Sequence, residues 1–231
     1  MSALSTQAIG SRLRVEDISK RLIISPLLDE SSQAKPGQAA VDVRLGFEFC
    51  LIVASRFGSL SEFETGLQRQ SFVPLYRREF VPFGGSIVIH PHQFVLAQTL
   101  EYIRLPSDLM AYVVGRSTWG RLGLIVATAI GVHPGFAGNL TLELRNLGET
   151  PLTLYPGQPI AQLFVHRVAD SRGRPSKVRA SGAQYVGTVD MIPKRLSDPT
   201  TFGKLKSLIQ KFENRNSKPA AECPPQAGEV E

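Results

Sequence analysis

The chain has 231 residues, 42% of them hydrophobic, and a formal net charge of +6 at pH 7. This length and composition suit one substantial domain with a buried core, and no apolar run approaches the roughly 20 residues that a membrane-spanning helix needs. The opening residues, MSALSTQAIGSRLRVEDISK, contain no apolar block behind a basic region, so we expect a cytoplasmic protein with no secretory signal and no membrane partner.

The predicted elements begin with a helix and continue with strands. Val15, Ile18 and Leu22 recur at helical spacing, which predicts a short amphipathic helix over residues 15 to 22. From Val41 to about Val168, short segments rich in Val, Ile, Phe and Leu are separated by Gly and Pro. Such spacing is typical of an antiparallel barrel or sandwich and not of alternating βαβ units. We therefore predict a mostly β fold.

One strand of this body places a carboxylate on its polar side. In LTLELRN, residues 140–146, three leucines alternate with Thr141, Glu143 and Arg145. Because successive side chains of a strand point to opposite faces, Glu143 points away from the apolar side. We expect its carboxylate to face solvent, a cleft or a subunit interface.

The C-terminal part of the chain is basic. Between Arg167 and Lys218, twelve Lys and Arg stand against four Asp and Glu, so this stretch carries +8 and the remainder −2. A protein that binds nucleic acid over its whole surface would not confine its positive charge to one segment. We therefore expect no nucleic-acid partner. A basic tail in solvent, a tail that contacts nucleic acid and a segment that closes over phosphates are the three interpretations. For the last stretch of the chain, the basic tail in solvent is favoured.

The end of the chain divides from the body. The segment KLKSLIQKFE predicts a helix over residues 204–213, and the Pro-rich, apolar-poor residues after it predict a disordered tail. We expect one domain over residues 1–198, followed by a C-terminal helix and tail over residues 199–231.

Several catalytic classes lack their motifs in this sequence. A zinc deaminase needs a His or Cys with a Glu and a downstream PCxxC, and none is present. The close pair His90 and His92 lies at a strand boundary and is interpreted as structural or solvated. Cys50 and Cys223 are isolated, which indicates one buried and one solvated thiol. There is no GxSxG elbow and no GxxxxGK[ST] loop. We expect no zinc and no protein metal site.

The segment GRSTWGR, residues 115–121, combines small and hydroxylated residues with two cations. Backbone N–H groups, hydroxyls and guanidinium groups at this spacing can hold a phosphate ester. A basic helix start packed through Trp119 and Leu122 explains the spacing equally well. The spacing alone leaves both interpretations open.

Four blocks in order carry a resemblance to a known family. They are AVDVRLG at 40–46, TLEYIRLPSDLMAYVVGRSTWGRLGL at 99–124, TAIGVHPGFAGNLTLELRN at 128–146 and PLTLYPGQPIAQLFVHRV at 151–168. Together they resemble dCTP deaminase, of the dUTPase-like superfamily, over most of residues 10 to 195. The resemblance implies a distorted antiparallel β-barrel or jelly roll with a few short helices. It also implies a homotrimer with active sites between subunits, and zinc-free deamination of dCTP to dUTP and ammonia.

The resemblance assigns catalytic roles to four positions. Glu143 would move protons to N3 of the cytosine and from the attacking water. Ser117 would hold the water or the departing amine, aided by the backbone carbonyl of Ala129. Arg121 would orient the Ser117 hydroxyl and keep Glu143 anionic, because a nearby cation lowers the pKa of a carboxylate.

The resemblance also assigns substrate contacts. Arg116 and Thr118 would face phosphate oxygens, and Gln162 and Tyr185 would line the nucleotide pocket. Basic residues of the C-terminal segment are candidate phosphate contacts, namely Lys177, Arg179 and Lys194. Mg²⁺ would be bound through the substrate triphosphate and not by a protein cage.

The chain departs from the family pattern at His133. The family usually has an aspartate at this position, where its carboxylate contacts the deoxyribose. Histidine can still donate or accept a hydrogen bond to a sugar hydroxyl. The change disfavours direct hydrolysis of dUTP. Asp42 is interpreted as a structural residue at a strand start with Arg44 as its partner.

Three functions follow from this sequence. A dCTP deaminase is favoured, because a pure binding protein would not need Ser117, Arg121 and Glu143 together. The first alternative is a deoxynucleotide-binding or regulatory member without turnover. The second is a member that hydrolyses dUTP.

Overall fold

The structure is a computed structural model that describes residues 2–27, 33–53, 75–127, 131–168, 191, 203, 204 and 206–211. The chain divides into two compact units, residues 1–194 and residues 195–231. In the second unit, the described residues 203, 204 and 206–211 are helical, as predicted for this part of the chain. Within the described ranges, every helix is too short or too polar to span a bilayer.

The first unit is mostly antiparallel β-structure, as predicted. In chain order its elements are α1 (Thr6–Leu13), β1 (Ile23–Ser25), β2 (Val41–Ile52), β3 (Tyr76–Phe80), β4 (Ile87–Ile89), β5 (Phe94–Arg104), β6 (Leu109–Gly115), α2 (Ser117–Arg121), β7 (Leu124–Val126), β8 (Gly131–Val132), β9 (Ala137–Asn146), β10 (Leu152–Leu154) and β11 (Pro159–Arg167).

A nine-stranded sheet forms the body. Its strands run in the order β7-β9-β5-β2-β11-β6-β8, β1 pairs with β5 and β3 pairs with β2, and β4 and β10 form a separate pair. The sheet curls, because β6 and β7 lie near opposite ends of the strand order and yet touch. A Cβ placed on Gly115 of β6 would lie 3.1 Å from Cγ2 of Val126 on β7. This curling confirms the predicted distorted barrel.

The core lies inside the curled sheet. Long apolar side chains from β2, β5, β9 and β11 alternate inward, and Leu45, Phe49, Leu142, Leu144 and Leu163 are fully buried. Burial of apolar side chains contributes roughly 25 cal/mol per Å² removed from water, so this inner face supplies most of the stabilisation. A smaller cluster on the outer side of β2 and β5 includes Cys50, Leu96 and Met191. The burial of Cys50 confirms the prediction for this thiol, and Cys223 lies outside the described residues.

The N-terminal helix lies before the predicted position. It spans Thr6–Leu13, and the Ser5 hydroxyl caps it by accepting a hydrogen bond from the Ala8 N–H at 3.2 Å. Residues 15–22 are not helical. Asp17 instead accepts hydrogen bonds from both the backbone N–H and the hydroxyl of Ser19. Such a local side-chain turn competes with helix formation, so the prediction for residues 15 to 22 is wrong.

Candidate active site

The segment GRSTWGR forms the end of β6 and the short helix α2. Arg116 is the residue before the helix, and its carbonyl accepts hydrogen bonds from the N–H groups of Trp119 and Gly120, each at 3.1 Å. The Trp119 indole donates to the Pro159 carbonyl at 3.0 Å and packs against the core. Trp119 therefore fixes α2 to the start of β11.

The polar side chains of α2 lie on the outside of this anchored turn. Ser117, Thr118 and Arg121 are exposed, so their hydroxyls and guanidinium group are accessible at the protein surface. The packing interpretation is confirmed for Trp119, and the phosphate interpretation stays a prediction. The segment is a helix start packed through Trp119, with three polar side chains at the surface. The expected packing of Leu122 is wrong, because this side chain is exposed.

Arg116 contacts a buried carboxylate on a distant strand. Its Nη1 donates to Oδ2 of Asp42 at 2.5 Å, and Gln162 Nε2 donates to Oδ1 of the same carboxylate at 3.0 Å. Asp42 and Gln162 face each other across the β2–β11 pair, which explains how residues far apart in sequence meet. The structure brings two predicted substrate-binding residues, Arg116 and Gln162, together on Asp42.

The predicted partnership of Asp42 with Arg44 is wrong. Arg44 Nε donates to Oε1 of Glu101 at 2.6 Å, and the Arg44 backbone N–H donates to Oε2 at 2.8 Å. Gln33 also donates to Glu101, at 3.0 Å. Asp42 and Arg44 are two residues apart on β2, so their side chains point to the same face but lie nearly 7 Å apart. Each side chain therefore binds a partner on another element. Sequence reasoning missed Glu101, although a carboxylate inside an apolar strand is itself a signal of a buried ion pair.

Glu143 lies on β9, and its side chain is half-buried. Its strand alternates as predicted, because Leu140, Leu142 and Leu144 are buried inward. Burial raises the pKa of the Glu143 carboxyl. The resemblance implied the opposite direction, a pKa lowered by Arg121. Within this chain, desolvation is the dominant influence on Glu143.

The backbone links Glu143 to the α2 region. The Ala127 N–H, immediately after β7, donates to the Glu143 carbonyl at 2.7 Å. Val126 pairs with Leu144 and contacts Gly115 at the end of β6. The β7 strand therefore connects the main chain of β9 at Glu143 with the turn that carries Arg116.

His133 lies elsewhere on the same chain. It is exposed and follows β8, and the last residue of β8, Val132, pairs with Ala111 on β6. Ala111 and Gly115 are separated by about 13 Å at 3.3 Å per residue. The structure therefore does not bring His133 to the Arg116 end of β6 within one chain.

Other predicted site residues lie outside the described residues. They are Ala129, Tyr185, Lys177, Arg179 and Lys194. Among the residues that the structure describes, no three His, Cys, Asp or Glu side chains are grouped as metal ligands would be.

Comparison with known proteins gives one consistent result. The model of the family described as dCTP deaminase-like matches residues 4–168. A protein of Methanobrevibacter smithii named dCTP deaminase, dUMP-forming, is 40% identical over 62% of this chain and 71% of its own length. A protein of Natronomonas pharaonis named dCTP deaminase is 37% identical over 79% of this chain and 90% of its own length.

A solved structure supports the same fold. The 2'-deoxycytidine 5'-triphosphate deaminase of Agrobacterium tumefaciens superposes with a TM-score of 0.54 at 20% identity, over 72% of this chain. The match spans 46% of that solved chain. Together with the match of the family model to residues 4–168, these similarities show that the chain belongs to the dCTP deaminase-like family.

Proposed function

We propose that this chain deaminates dCTP by adding water to C4 of the cytosine and releasing ammonia, with dUTP as product. Its family and the name of the Natronomonas pharaonis relative support deamination of dCTP, and the Methanobrevibacter smithii relative is named for deamination of dCTP with dUMP as the product. The observation that carries it is Glu143, a half-buried carboxylate on β9 whose pKa is raised by burial. A carboxylate in this position can accept a proton from water and pass it to the substrate.

The proton transfers balance around Glu143. Glu143 takes one proton from the attacking water and passes it to N3 as the oxygen bonds to C4. It then takes the second proton from the new C4 hydroxyl and passes it to the amine, which leaves as ammonia as the C4–N bond breaks and the C4 carbonyl forms. One water is thus consumed for each ammonia released. Ser117, Arg121 and the Ala129 carbonyl are proposed to hold the water and the departing amine.

The proposed substrate contacts divide by the part of the nucleotide they meet. Arg116 and Thr118 contact the phosphates, Gln162 and Tyr185 line the pocket, and His133 contacts the deoxyribose. Mg²⁺ is carried on the triphosphate, because this ion keeps much of its water and is usually held with substrate phosphates. We propose a cytoplasmic location, since a deoxynucleoside triphosphate is an intracellular metabolite.

A homotrimer with sites between subunits is part of the proposal. Exposed apolar side chains flank the polar groups of α2, namely Leu122, Ile125 and Leu147. Apolar side chains next to a polar site are typical of a surface that a partner covers. Val132, the residue before His133, pairs with Ala111, about 13 Å along β6 from Gly115, which supports a pocket that a second chain completes.

A second candidate function is deamination coupled to pyrophosphate release, which yields dUMP. Relatives named dUMP-forming support it, including a Nocardia farcinica protein that is 36% identical over 79% of this chain. His133 argues against it, because a fixed carboxylate is the usual group at this position.

One set of incubations distinguishes these functions. Purified protein is incubated with dCTP, CTP, dCMP or dUTP and Mg²⁺, and the products are separated by chromatography. The proposal predicts dUTP and ammonia from dCTP without pyrophosphate. Formation of dUMP with pyrophosphate would favour the second candidate. Saturable binding without any product would instead indicate a regulatory nucleotide-binding protein.

A further inference from the structure

We propose that Asp42 is a positioning residue that holds Arg116 and Gln162 in the orientation in which they bind the nucleotide. This inference rests on the proposed function, because it assumes that both side chains face the substrate. It starts from the two hydrogen bonds that converge on a single carboxylate, one from Arg116 and one from Gln162.

The burial of the pair is asymmetric. The Asp42 side chain is 7% exposed, whereas that of Arg116 is 27% exposed. The carboxylate therefore lies on the protein side of the ion pair and the guanidinium on the accessible side. The bond to Asp42 engages Nη1, one of the three nitrogens of a group that carries five N–H donors. A guanidinium that is hydrogen-bonded to a carboxylate on its buried side is already ordered before a phosphate binds.

The same carboxylate sets the orientation of the Gln162 amide. A carboxylate only accepts hydrogen bonds, so the amide must turn its Nε2 toward Asp42. The carbonyl oxygen of the amide is then directed away from Asp42. Asp42 thus orients two groups on neighbouring elements, the start of α2 and the middle of β11.

Replacement of Asp42 by asparagine tests this directly. The asparagine side chain has one acceptor atom and one donor group, so Asp42→Asn keeps at most one of the two bonds and faces the other donor with an NH₂ group. Because hydrogen bonds to charged groups are the stronger ones, we expect the Kd for dCTP, measured by calorimetry, to rise about tenfold or more. We expect kcat to change much less than KM.

Asp108→Asn is the matched control. Asp108 also accepts two hydrogen bonds from an arginine, Arg12, at 2.9 and 2.7 Å. It lies just before β6, at the end of that strand opposite Arg116. Both variants lose an ion pair with an arginine, although the Asp108 side chain is 32% exposed and that of Asp42 only 7%. We expect Asp108→Asn to lower Tm without weakening dCTP binding. Equal weakening of dCTP binding in both variants would show that Asp42 matters only for stability and would overturn the proposal.

A double mutant shows whether Asp42 acts through Arg116. In an Arg116→Ala background, we expect Asp42→Asn to add only the smaller effect that arises from Gln162. A full additional tenfold loss in that background would overturn the proposal.

If Asp42→Asn does not fold, Asp42→Glu keeps both acceptor atoms but displaces them by one methylene. It is expected to weaken binding about threefold, and binding equal to wild type would overturn the proposal.

The binding measurement also separates the two claims. If wild type binds dCTP but releases no ammonia, the proposed function fails, whereas weaker binding by Asp42→Asn still supports the positioning role. If wild type releases ammonia and Asp42→Asn binds dCTP normally, only the positioning role fails.

Discussion

Burial of the Glu143 side chain on β9 raises its pKa, which affects both catalysis and stability. A raised pKa brings the carboxyl closer to the operating pH, where a group that both donates and accepts protons is most effective. The same burial lowers the stability of the folded protein when Glu143 is ionised, because a buried carboxylate is poorly solvated. Perturbed carboxylates of this kind concentrate at functional sites.

We predict that Glu143→Gln is more stable than wild type at pH 8. The folded-state pKa of Glu143 lies above the unfolded value of about 4.3, so wild-type stability falls as pH rises from there through the folded pKa. A glutamine at position 143 does not titrate, so it removes this contribution to the pH dependence of stability. The difference in Tm between Glu143→Gln and wild type should therefore shrink as pH falls toward about 4.3.

Thermal unfolding from pH 4 to pH 8 measures this effect. Glu149→Gln, which changes an exposed carboxylate in the turn after β9, is the control and should change Tm little at any pH. A Glu143→Gln protein that is less stable than wild type, by an amount that grows with pH, would contradict the account of burial.

At the residue scale, the sequence predicted Glu143 on the polar side of its strand but not the partner of Asp42. Strand alternation is a local property, and it places Glu143 correctly. The contact between Asp42 and Arg116 joins residues 74 positions apart, and it depends on how β2, β11 and β6 are ordered. Arg44 is close to Asp42 in the sequence, but its guanidinium pairs with Glu101 instead.

At the element scale, the predicted β body is confirmed, and the N-terminal helix is misplaced. Period-two alternation and turn residues are strong over residues 41–168, so the strands were recognisable. The spacing of Val15, Ile18 and Leu22 predicts one apolar helix face, but Leu22 is buried and Ile18 is exposed. The better signal was Ser5, whose hydroxyl caps α1. A capping residue followed by a weakly apolar segment gives little periodic signal for a helix.

The turn between α2 and β7 depends on Gly123. Its φ is +91°, and a Cβ there would lie 2.6 Å from the Gly148 nitrogen and 2.8 Å from the Gly148 Cα. We predict that Gly123→Ala destabilises the protein by about 2 kcal/mol or more, from strain at positive φ and a backbone clash. Chemical denaturation measures the free energy of unfolding.

Gly120 provides the comparison on the same turn. A Cβ at Gly120 in α2 meets no atom within 4 Å among the described residues. Gly120→Ala should therefore be neutral or stabilising by up to about 1 kcal/mol, because alanine is the better helix former. Equal stability of the two variants would show that the α2–β7 turn does not require glycine at position 123.

At the scale of the whole molecule, the curled sheet explains why site residues come from distant parts of the chain. The β2–β11 and β5–β9 pairs and the contact of β6 with β7 bring together residues from four separate sequence blocks. The family resemblance predicted these blocks to belong together. Strand order and register were not predictable from periodicity, since they depend on contacts between distant segments.

We predict that two inactive variants restore activity when they are combined. If Ser117 and Glu143 of one site come from different subunits of a trimer, co-expression of Ser117→Ala with Glu143→Gln produces some sites with both groups intact. With equal amounts and random assembly, about a quarter of the sites are complete. Activity at about a quarter of the wild-type value is expected, with each variant alone as control. An inactive mixture of confirmed hybrid oligomers would place both residues in one subunit.

The central claim is that this protein releases ammonia from dCTP through Glu143. The most direct test follows ammonia and dCTP together, in the presence of Mg²⁺, for wild type and for Glu143→Gln under identical conditions. The account predicts one ammonia for each dCTP consumed by wild type, and a rate at least about a hundredfold lower for Glu143→Gln. Absence of ammonia with wild type, or equal rates for the two proteins, would contradict it.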